Sequence, residues 1–280
     1  MKQIVAFQGV PGAYSQSASH HMFGEECETL PCKRFEEVYE AVLSGRATAG
    51  AIPIENSTTG SIHPNFDFLL HYPVHIVAEL KLHIEHALLA PMGVSLEQLT
   101  GVRSHPQALA QCSRFFAEHP QIREIADFDT AGSAQICAEE KGTIGAIASP
   151  FAGRTYGLQI LKTNLENNPG TNLTRFYGIA AEPLQGEQKR SKCSIALMPN
   201  VDRAGLLYEA LGAFAKRKLD LTKIESRPRP GRPWEYVFLL DFRGDSRSRE
   251  VQETLEELTS AGSKVRLLGC YAEGIDAWVK

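Results

Sequence analysis

Four short segments of the sequence concentrate the polar side chains that could bind and transform a small molecule. The first three follow a predicted strand or open a predicted helix, and all four together supply amide, hydroxyl, carboxylate and guanidinium groups. Such groups would hydrogen-bond an oxygen-rich substrate, and an arginine could hold a carboxylate with two parallel bonds. The four segments are 8–15, 53–61, 104–112 and 172–176.

The first two segments each leave a structural alternative open. Segment 8–15 turns from a strand into a helix, whose unpaired N–H groups attract anions. It fits equally a plain turn in which Ser15 caps the helix. Segment 53–61 combines Glu55 and Asn56 with hydroxyl residues at a strand end, which favours a ligand site over a merely hydrogen-bonded loop.

The other two segments place amides and an arginine near predicted element ends. Gln107 and Gln111 lie one helical turn apart on one face. Cys112 lies near His105, as a thiol nucleophile would, but it continues an apolar helix face, which favours core packing. Arg175 could take a substrate carboxylate or form a surface salt bridge, and the residues alone do not choose.

Motifs for nucleotides and metals are missing from the sequence. It has no G-x-x-x-x-G-K-[ST] loop, and 9–12 lacks the third glycine of G-x-G-x-x-G. The spacing of His83 and His86 differs from H-E-x-x-H, and on a strand the two side chains would point to opposite faces. We interpret both as solvated or edge histidines, and we expect no metal and no cofactor.

Composition and patterning give the elements that would position these segments. The 280 residues are 43% hydrophobic and 22% charged, with a net charge of −4 that argues against nucleic-acid binding. Apolar strands alternate with helices up to about residue 181, which predicts an α/β fold with ligands at the carboxyl ends of its strands. No apolar run predicts a membrane span or a signal peptide, so we expect no membrane partner and a cytoplasmic location.

A second domain is predicted after a polar, charged linker at 184–192. Residues 193–280 are patterned as strand, helix, strand, strand, helix, strand, the βαββαβ order of ferredoxin-like α+β domains. The Pro- and Arg-rich run 229–233 predicts a stiff hairpin connection. Because such a small sheet leaves one face partly bare, we expect a homodimer or homotetramer that pairs through this domain.

Taken in order, the four segments resemble the motif series of the prephenate dehydratases, over essentially the whole chain. The matching stretches are Gly-Val-Pro-Gly-Ala-Tyr-Ser (9–15), Pro-Ile-Glu-Asn-Ser (53–57), Ser-His-Pro-Gln (104–107) and Thr-Arg-Phe (174–176). The second domain resembles an ACT regulatory domain, with the phenylalanine-binding motif Glu-Ser-Arg-Pro at 225–228. Its companion motif is Gly-Leu-Leu at 205–207, where the family usually has Gly-Ala-Leu.

This resemblance implies a two-lobed fold like the type 2 periplasmic binding proteins, with the site in the cleft between the lobes. The catalytic domain would span 1–183, with lobes at about 1–77 with 162–183 and at 78–161, and the ACT domain would span 193–280. No chorismate mutase domain is expected ahead of the first strand. A chain that ends near Ala181 is expected to keep its activity and to ignore L-phenylalanine.

The activity implied is the conversion of prephenate to phenylpyruvate, CO2 and water in L-phenylalanine biosynthesis, with feedback by L-phenylalanine. Aromatisation of the ring drives the reaction, so no cofactor is required. Arogenate dehydratase, which would use the same machinery, and a non-enzymatic amino-acid sensor remain the alternatives.

The resemblance also implies roles for individual residues. Thr174 would carry the hydroxyl essential for activity. We infer that Arg175 binds the side-chain carboxylate of the substrate, because a guanidinium on the ring carboxylate would retard its loss. Glu55 could act as the acid only if burial kept it protonated. The polar ligands implied in the cleft are Asn56, Ser104 and Gln111.

Two further groups of residues complete the predicted sites. The predicted substrate-binding residues are Gly12, Tyr14, Ser15, Ser57, Gln107 and Phe176. The predicted L-phenylalanine-binding residues are Gly205, Leu206, Leu207, Glu225, Ser226, Arg227 and Pro228. The phenylalanine would bridge two copies of the second domain.

Overall fold

The computed structural model describes residues 3–186, 189–200, 203–229 and 231–279. Glu187 and Gln188 of the predicted linker and Pro230 of the predicted hairpin connection lie outside the described residues. In chain order, the first elements are β1 (Ile4–Gln8), α1 (Tyr14–Phe23), β2 (Glu28–Cys32), α2 (Phe35–Leu43), β3 (Ala49–Asn56), β4 (Gly60–Ser61), α3 (His63–His71), β5 (His75–His83) and β6 (Ala87–Ala90).

The remaining elements follow a short 3₁₀ turn at Leu96–Gln98. They are β7 (Gly101–Ser104), α4 (Pro106–Gln111), α5 (Ser113–Glu118), β8 (Arg123–Ala126), α6 (Thr130–Glu140), β9 (Ile144–Ala148), α7 (Pro150–Tyr156), β10 (Gln159–Lys162) and β11 (Leu173–Ala180). After them come β12 (Lys192–Pro199), α8 (Leu206–Lys216), β13 (Leu221–Pro228), β14 (Tyr236–Arg243), α9 (Arg249–Ser260), β15 (Ser263–Tyr271) and β16 (Ile275–Trp278).

The described chain divides into two compact units. The first consists of the described residues up to Ile62, of Leu80–Phe176, and of those from Ile275 onward; the second consists of His63–Glu79 and Tyr177–Gly274. Strands β5 and β11 therefore contribute residues to both units. The predicted boundaries of lobes and domains, near 77, 161 and 183, stay predictions.

The first unit contains two sheets. In one, the strand order is β2-β1-β3-β11-β5 with β16 beside β5, and β1 pairs in parallel with β2 and β3. In the other, the order is β10-β6-β9-β7-β8, and β7 pairs in parallel with β8 and β9. The apolar strand β6 is buried along its whole length, as strands covered on both faces are. Asn56 ends β3 and Ser104 ends β7, so both residues lie at the carboxyl ends of strands.

The second unit has the predicted βαββαβ order, β12-α8-β13-β14-α9-β15. Strands β13, β14, β12 and β15 pair antiparallel in that spatial order, and β5 follows β15. Apolar residues of α8 and α9, among them Phe214, Val251 and Leu258, pack into one core with Phe242 of the sheet. The predicted mixed α/β and α+β class is confirmed.

Strand β16 gives the first unit a component from the far end of the described chain. Ile275 pairs with Leu80 and Trp278 with His83, in parallel, and Val279 is buried in a cluster with Leu82. A chain that ends near Ala181 would lack this strand and would expose the apolar cluster beneath it. The structure therefore argues against the expectation that such a shortened chain keeps its activity.

Candidate active site

A cavity of about 280 Å³ in the first unit collects residues from all four polar segments. Segments 8–15, 53–61 and 104–112 follow the carboxyl ends of β1, β3 and β7, where ligands bind in such sheets, and segment 172–176 opens β11 beside them. The predicted residues that line the cavity are Tyr14, Ser15, Asn56, Gln107, Gln111, Thr174 and Phe176.

Asn56 is the hub of a hydrogen-bond network in this cavity. Its Oδ1 accepts the backbone N–H groups of Thr58 at 3.0 Å and Thr59 at 3.2 Å. Because a backbone N–H can only donate, this turn fixes which end of the amide carries oxygen. Its Nδ2 then donates to Asn172 Oδ1 at 2.7 Å and to Thr174 Oγ1 at 3.0 Å. The amide therefore holds the Thr174 hydroxyl in one place.

Strand β11 directs alternate side chains to opposite faces. Thr174 and Phe176 line the cavity, whereas Arg175, between them, does not; its Nη1 lies 3.8 Å from a carboxylate oxygen of Glu55, which does not line the cavity either. The period of two residues along a strand explains this separation. The Arg175 side chain forms an ion pair with Glu55 beside the cavity. The binding of the substrate carboxylate by Arg175 and the role of Glu55 as an acid stay predictions.

Three other predicted residues support the walls of the cavity without lining it. Ser104 is fully buried, and its hydroxyl donates to the carbonyl of Ile147 at 2.6 Å. Ser57 joins β3 to the segment before β11, with Oγ donating to the carbonyl of Thr171 at 2.8 Å. Gly12 has φ of +87°, and its N–H donates to the side chain of Gln16 at 2.7 Å. Their hydrogen bonds are directed to the protein. The roles of Ser104 as a polar ligand of the cleft and of Ser57 and Gly12 in substrate binding stay predictions.

Cys112 belongs to the core rather than to the site. It is fully buried in a cluster with Leu109 and Phe116, and burial raises the pKa of its thiol to about 12. A thiol with that pKa stays protonated at neutral pH and is a poor nucleophile. The interpretation of Cys112 as core packing is confirmed, and the predicted helix around it is divided at this residue into α4 and α5.

His86 lines the cavity, although its sequence context predicted a solvated or edge position. The residue is 2% exposed, its Nδ1 lies 3.0 Å from Tyr14 Oη, and its Nε2 lies 2.9 Å from Gln111 Oε1. That prediction is wrong. Its partners are 72 and 25 residues away in the chain, so no local spacing could have revealed them. His83, by contrast, stacks its ring on Trp278.

The described wall of the cavity contains few charged side chains. Asp129 lines it, and within the described part of the chain no lysine or arginine does. Burial, reinforced by the carboxylate of Glu166, holds the pKa of Tyr14 well above its ordinary value, so this residue stays a neutral phenol. Among the residues described, no group of three or more His, Cys, Asp or Glu side chains is arranged to hold a metal ion.

The second unit has its own cavity, of about 300 Å³. The predicted residues that line it are Gly205, Leu206 and Leu207. Gly205 caps α8 with φ of +84°, a left-handed conformation that suits glycine. The remaining walls include Arg203, Tyr208 and Phe238.

The segment Glu225–Pro228 does not line that cavity, and its two charged side chains, Glu225 and Arg227, form ion pairs within the second unit. Arg227 holds Asp67 of α3 with two bonds of 2.8 Å, from Nε and Nη2. Glu225 lies 3.4 Å from His63 and 3.5 Å from Lys223. The structure thus separates the two halves of the predicted L-phenylalanine site within one chain.

No helix within the described ranges combines the length and the apolar character needed to cross a bilayer.

Comparisons with known proteins agree with this geometry. A family model for prephenate dehydratase matches residues 5–184, and a model for the ACT domain matches residues 200–259. A protein of Arabidopsis thaliana named arogenate dehydratase/prephenate dehydratase 2, chloroplastic, is 41% identical over 278 residues, which cover 95% of this chain and 72% of that protein. The cytoplasmic location predicted for this chain stays a prediction.

Two solved structures resemble the chain over nearly its whole length. Prephenate dehydratase from Arthrobacter aurescens, in complex with L-Phe, has a TM-score of 0.87 at 29% identity and covers 96% of this chain and 90% of that one. A structure described as GqqA, a novel type of quorum quenching acylase, has a TM-score of 0.87 at 32% identity, with coverage of 96% and 97%. The predicted fold, a catalytic domain like the periplasmic binding proteins followed by an ACT domain, is confirmed. This chain belongs to the prephenate dehydratase family of decarboxylating dehydratases.

Proposed function

We propose that the chain converts prephenate to phenylpyruvate, CO2 and water, and that L-phenylalanine regulates this activity. The observation that carries the proposal is the Thr174 hydroxyl, buried in the cavity and held there by the amide of Asn56. The direct test mixes the purified protein with prephenate and measures phenylpyruvate. Binding of prephenate without product would favour the amino-acid sensor or another non-catalytic role.

Thr174 would orient the ring hydroxyl that leaves as water. Its Oγ1 already accepts an N–H from Asn56, so its own hydrogen is available to donate to a substrate oxygen. A threonine hydroxyl is too weak an acid to supply the proton itself. We therefore assign Thr174 the alignment of the leaving group, with Asn56 and Gln111 as the polar walls around it.

The absence of lysine and arginine from the described cavity walls suits the loss of CO2. A cation on the ring carboxylate would stabilise the ground state more than the transition state, in which that charge leaves the carboxylate. The side-chain carboxylate would instead lie at the start of α1, where Tyr14 and Ser15 line the cavity and the first N–H groups of the helix favour an anion. Arg175 and Glu55 then support β11 and β3 from outside.

Asp129 favours arogenate as a second candidate substrate. Arogenate carries an ammonium group where prephenate carries a ketone, and Asp129 is a carboxylate in the cavity wall. The test compares kcat/KM for both substrates in the wild type and in Asp129→Asn, since asparagine also caps helices and so preserves the start of α6. If Asp129 binds the ammonium, the variant loses about 10–100-fold on arogenate, the scale of one charged hydrogen bond, and little on prephenate. An equal loss of kcat/KM for both substrates would show that Asp129 has a structural role.

Acyl transfer, the activity named for one structural relative, would need an activated nucleophile beside a base. Cys112 does not meet this requirement, because its thiol is buried and its pKa is about 12. Hydrolysis of an N-acyl amide substrate at a rate comparable to prephenate turnover would contradict this assignment.

L-phenylalanine would bind the second unit at the start of α8. The N–H groups that follow Gly205 suit a carboxylate, and Leu206, Leu207 and Phe238 offer apolar contacts for a phenyl ring. Because Glu225–Pro228 is absent from this cavity, we propose that a second copy supplies that segment and that the chain forms a homodimer or homotetramer. The test measures the oligomeric state and the binding of L-phenylalanine together; tight binding to a monomer would contradict the bridging site.

A further inference from the structure

The reaction consumes one proton, and neither Thr174 nor Asn56 can supply it. The ring hydroxyl leaves as water and the ring carboxylate leaves as neutral CO2, so the substrate dianion plus one proton gives the monoanion, CO2 and water. A side chain near the leaving oxygen must therefore give up a proton and later recover it from solvent. His86 is the buried titratable group in the cavity wall that the proposed roles leave unused.

The amide network fixes a hydrogen on His86 Nε2. Asn56 Nδ2 donates to Asn172 Oδ1, so the other end of Asn172 is its NH2 group. That group donates to Gln111 Oε1 at 3.2 Å. The same Gln111 Oε1 lies 2.9 Å from His86 Nε2. Since a carbonyl oxygen can only accept, Nε2 must be the donor.

Tyr14 determines the state of the other ring nitrogen. Its Oη donates to the carbonyl of Glu85 at 2.6 Å, which uses its single hydrogen. The same Oη lies 3.0 Å from His86 Nδ1, and in that arrangement it can only accept. The hydrogen bonds are thus all satisfied when both ring nitrogens carry hydrogen, that is, when His86 is an imidazolium. A neutral ring would require Tyr14 to turn its hydrogen from Glu85 to Nδ1.

The surroundings make this imidazolium a strong acid. Burial lowers the pKa of His86, although the bond to Gln111 and the Glu166 carboxylate act in the opposite direction. Glu166 Oε2 accepts the backbone N–H of His86 at 3.0 Å. The other titratable groups near His86 and Glu166 are Tyr14, Glu85 and Cys112. A proton on a ring removed from water is readily released to a neighbouring acceptor.

We propose that His86 and Tyr14 form the proton relay for the dehydration step. When the substrate is bound, Tyr14 Oη turns its hydrogen from the Glu85 carbonyl to the leaving ring oxygen and gives it up there, and His86 Nδ1 passes its proton to Tyr14 Oη. The C–O bond of the ring hydroxyl breaks, and water leaves. The C–C bond between the ring and its carboxylate breaks as well; its electron pair completes the aromatic ring, and the carboxylate departs as CO2. His86 ends neutral and regains its proton from solvent. The step is the same for prephenate and arogenate, so it rests on the family's dehydration and not on the choice of substrate.

The pH profile of kcat/KM tests the relay. In the wild type, kcat/KM should fall about tenfold per pH unit above the pKa of His86, because only the protonated ring can donate. His86→Gln should lower kcat at least about 10²-fold and abolish this pH limb. The matched control is His83→Gln, three residues earlier with its ring outside the cavity, which should keep both the rate and the limb. A limb that survives in His86→Gln would overturn the proposal.

Tyr14→Phe keeps the proposal testable if His86→Gln does not fold. This variant retains the ring and loses only the relaying hydroxyl, so kcat should fall at least tenfold and the pH limb should disappear. The wild type gives an independent readout by NMR of ¹⁵N-histidine-labelled protein. As the pH is lowered, both ring nitrogens of His86 should become protonated, and the midpoint of this change should lie at the same pH as the midpoint of the kinetic limb. A wild-type rate in Tyr14→Phe, or a His86 that stays neutral through the limb, would overturn the relay. If the wild type turns over neither substrate, the proposed function fails instead.

Discussion

The cavity of the catalytic unit and the charged segments of the regulatory unit offer a ligand very different surroundings. The first presents amides and hydroxyls joined by hydrogen bonds, around Asn56 and Thr174. The second is joined by ion pairs: Arg227 with Asp67, Glu225 with Lys223, and the buried pair of Lys192 with Glu79 at 2.6 Å. Neutral dipoles can hold a substrate without trapping its departing charge. Ion pairs change strength with their partners, which suits a segment that must respond to an effector.

The buried pair in the regulatory unit should give the largest effect on stability. Lys192 and Glu79 have side chains 3% and 0% exposed, so Lys192→Met leaves a buried carboxylate without its cation. We expect a loss of about 3–5 kcal/mol in the free energy of unfolding, measured by urea denaturation. The double variant Lys192→Met with Glu79→Met should recover most of it. A loss under about 1 kcal/mol in the single variant would show that water reaches the pair.

Within the hydrogen-bond network of the catalytic unit, catalysis should depend most strongly on the hydroxyl of Thr174. Thr174→Val keeps the shape of the side chain and removes the donor, so kcat should fall at least about 10²-fold while KM changes little. Thr155→Val, in α7, is the matched control, since that hydroxyl bonds only its own helix at 2.9 Å. Turnover of Thr174→Val within a few-fold of the wild type would remove Thr174 from the mechanism.

The ion pair between α3 and β13 should affect regulation more than catalysis. Asp67→Asn removes the charge that holds Arg227, and the pair is partly exposed, with the Asp67 side chain 51% exposed. We expect the inhibition constant for L-phenylalanine to change by up to about fivefold, which corresponds to the upper end, about 1 kcal/mol, of the range for such pairs. Glu253→Gln breaks a comparable pair on α9 and should leave inhibition unchanged. An equal change of the inhibition constant in both variants would indicate a general effect of removing a negative charge and not a specific role of the Asp67–Arg227 pair.

Substitution of Arg175 should have the smallest effect of these variants, because its ion pair lies outside the hydrogen-bonded cavity. If it supports β11 from outside the cavity, Arg175→Lys preserves a cation near Glu55 and should change KM by less than about threefold. Steady-state kinetics at several salt concentrations checks this. A rise in KM of tenfold or more would return Arg175 to the binding of the substrate carboxylate.

Periodic patterns predicted the regulatory unit well. The predicted helix over 247–260 matches α9 at Arg249–Ser260, and the predicted strand over 194–198 lies within β12. Each of these elements carries its own amphipathic signal. Helix α3 was not predicted, because its histidines and aromatic residues follow no clear helical period.

The candidate site was predicted only in part, for two physical reasons. The alternation of side chains along β11 was available in the sequence and would have separated Arg175 from Thr174. The role of His86 was not available, because it depends on contacts with Tyr14, Gln111 and Glu166 that only the folded chain brings together.

Strand β16 has a consequence for the order in which the molecule is made. During translation, Leu80 and Leu82 leave the ribosome long before Ile275–Trp278, the residues that cover them. The intervening chain includes nearly all of the regulatory unit. The catalytic sheet therefore cannot close co-translationally in the usual order from the amino terminus onward. A polypeptide released early by a stalled ribosome would carry Thr174 and His86 and yet lack the strand that pairs with Leu80 and Leu82.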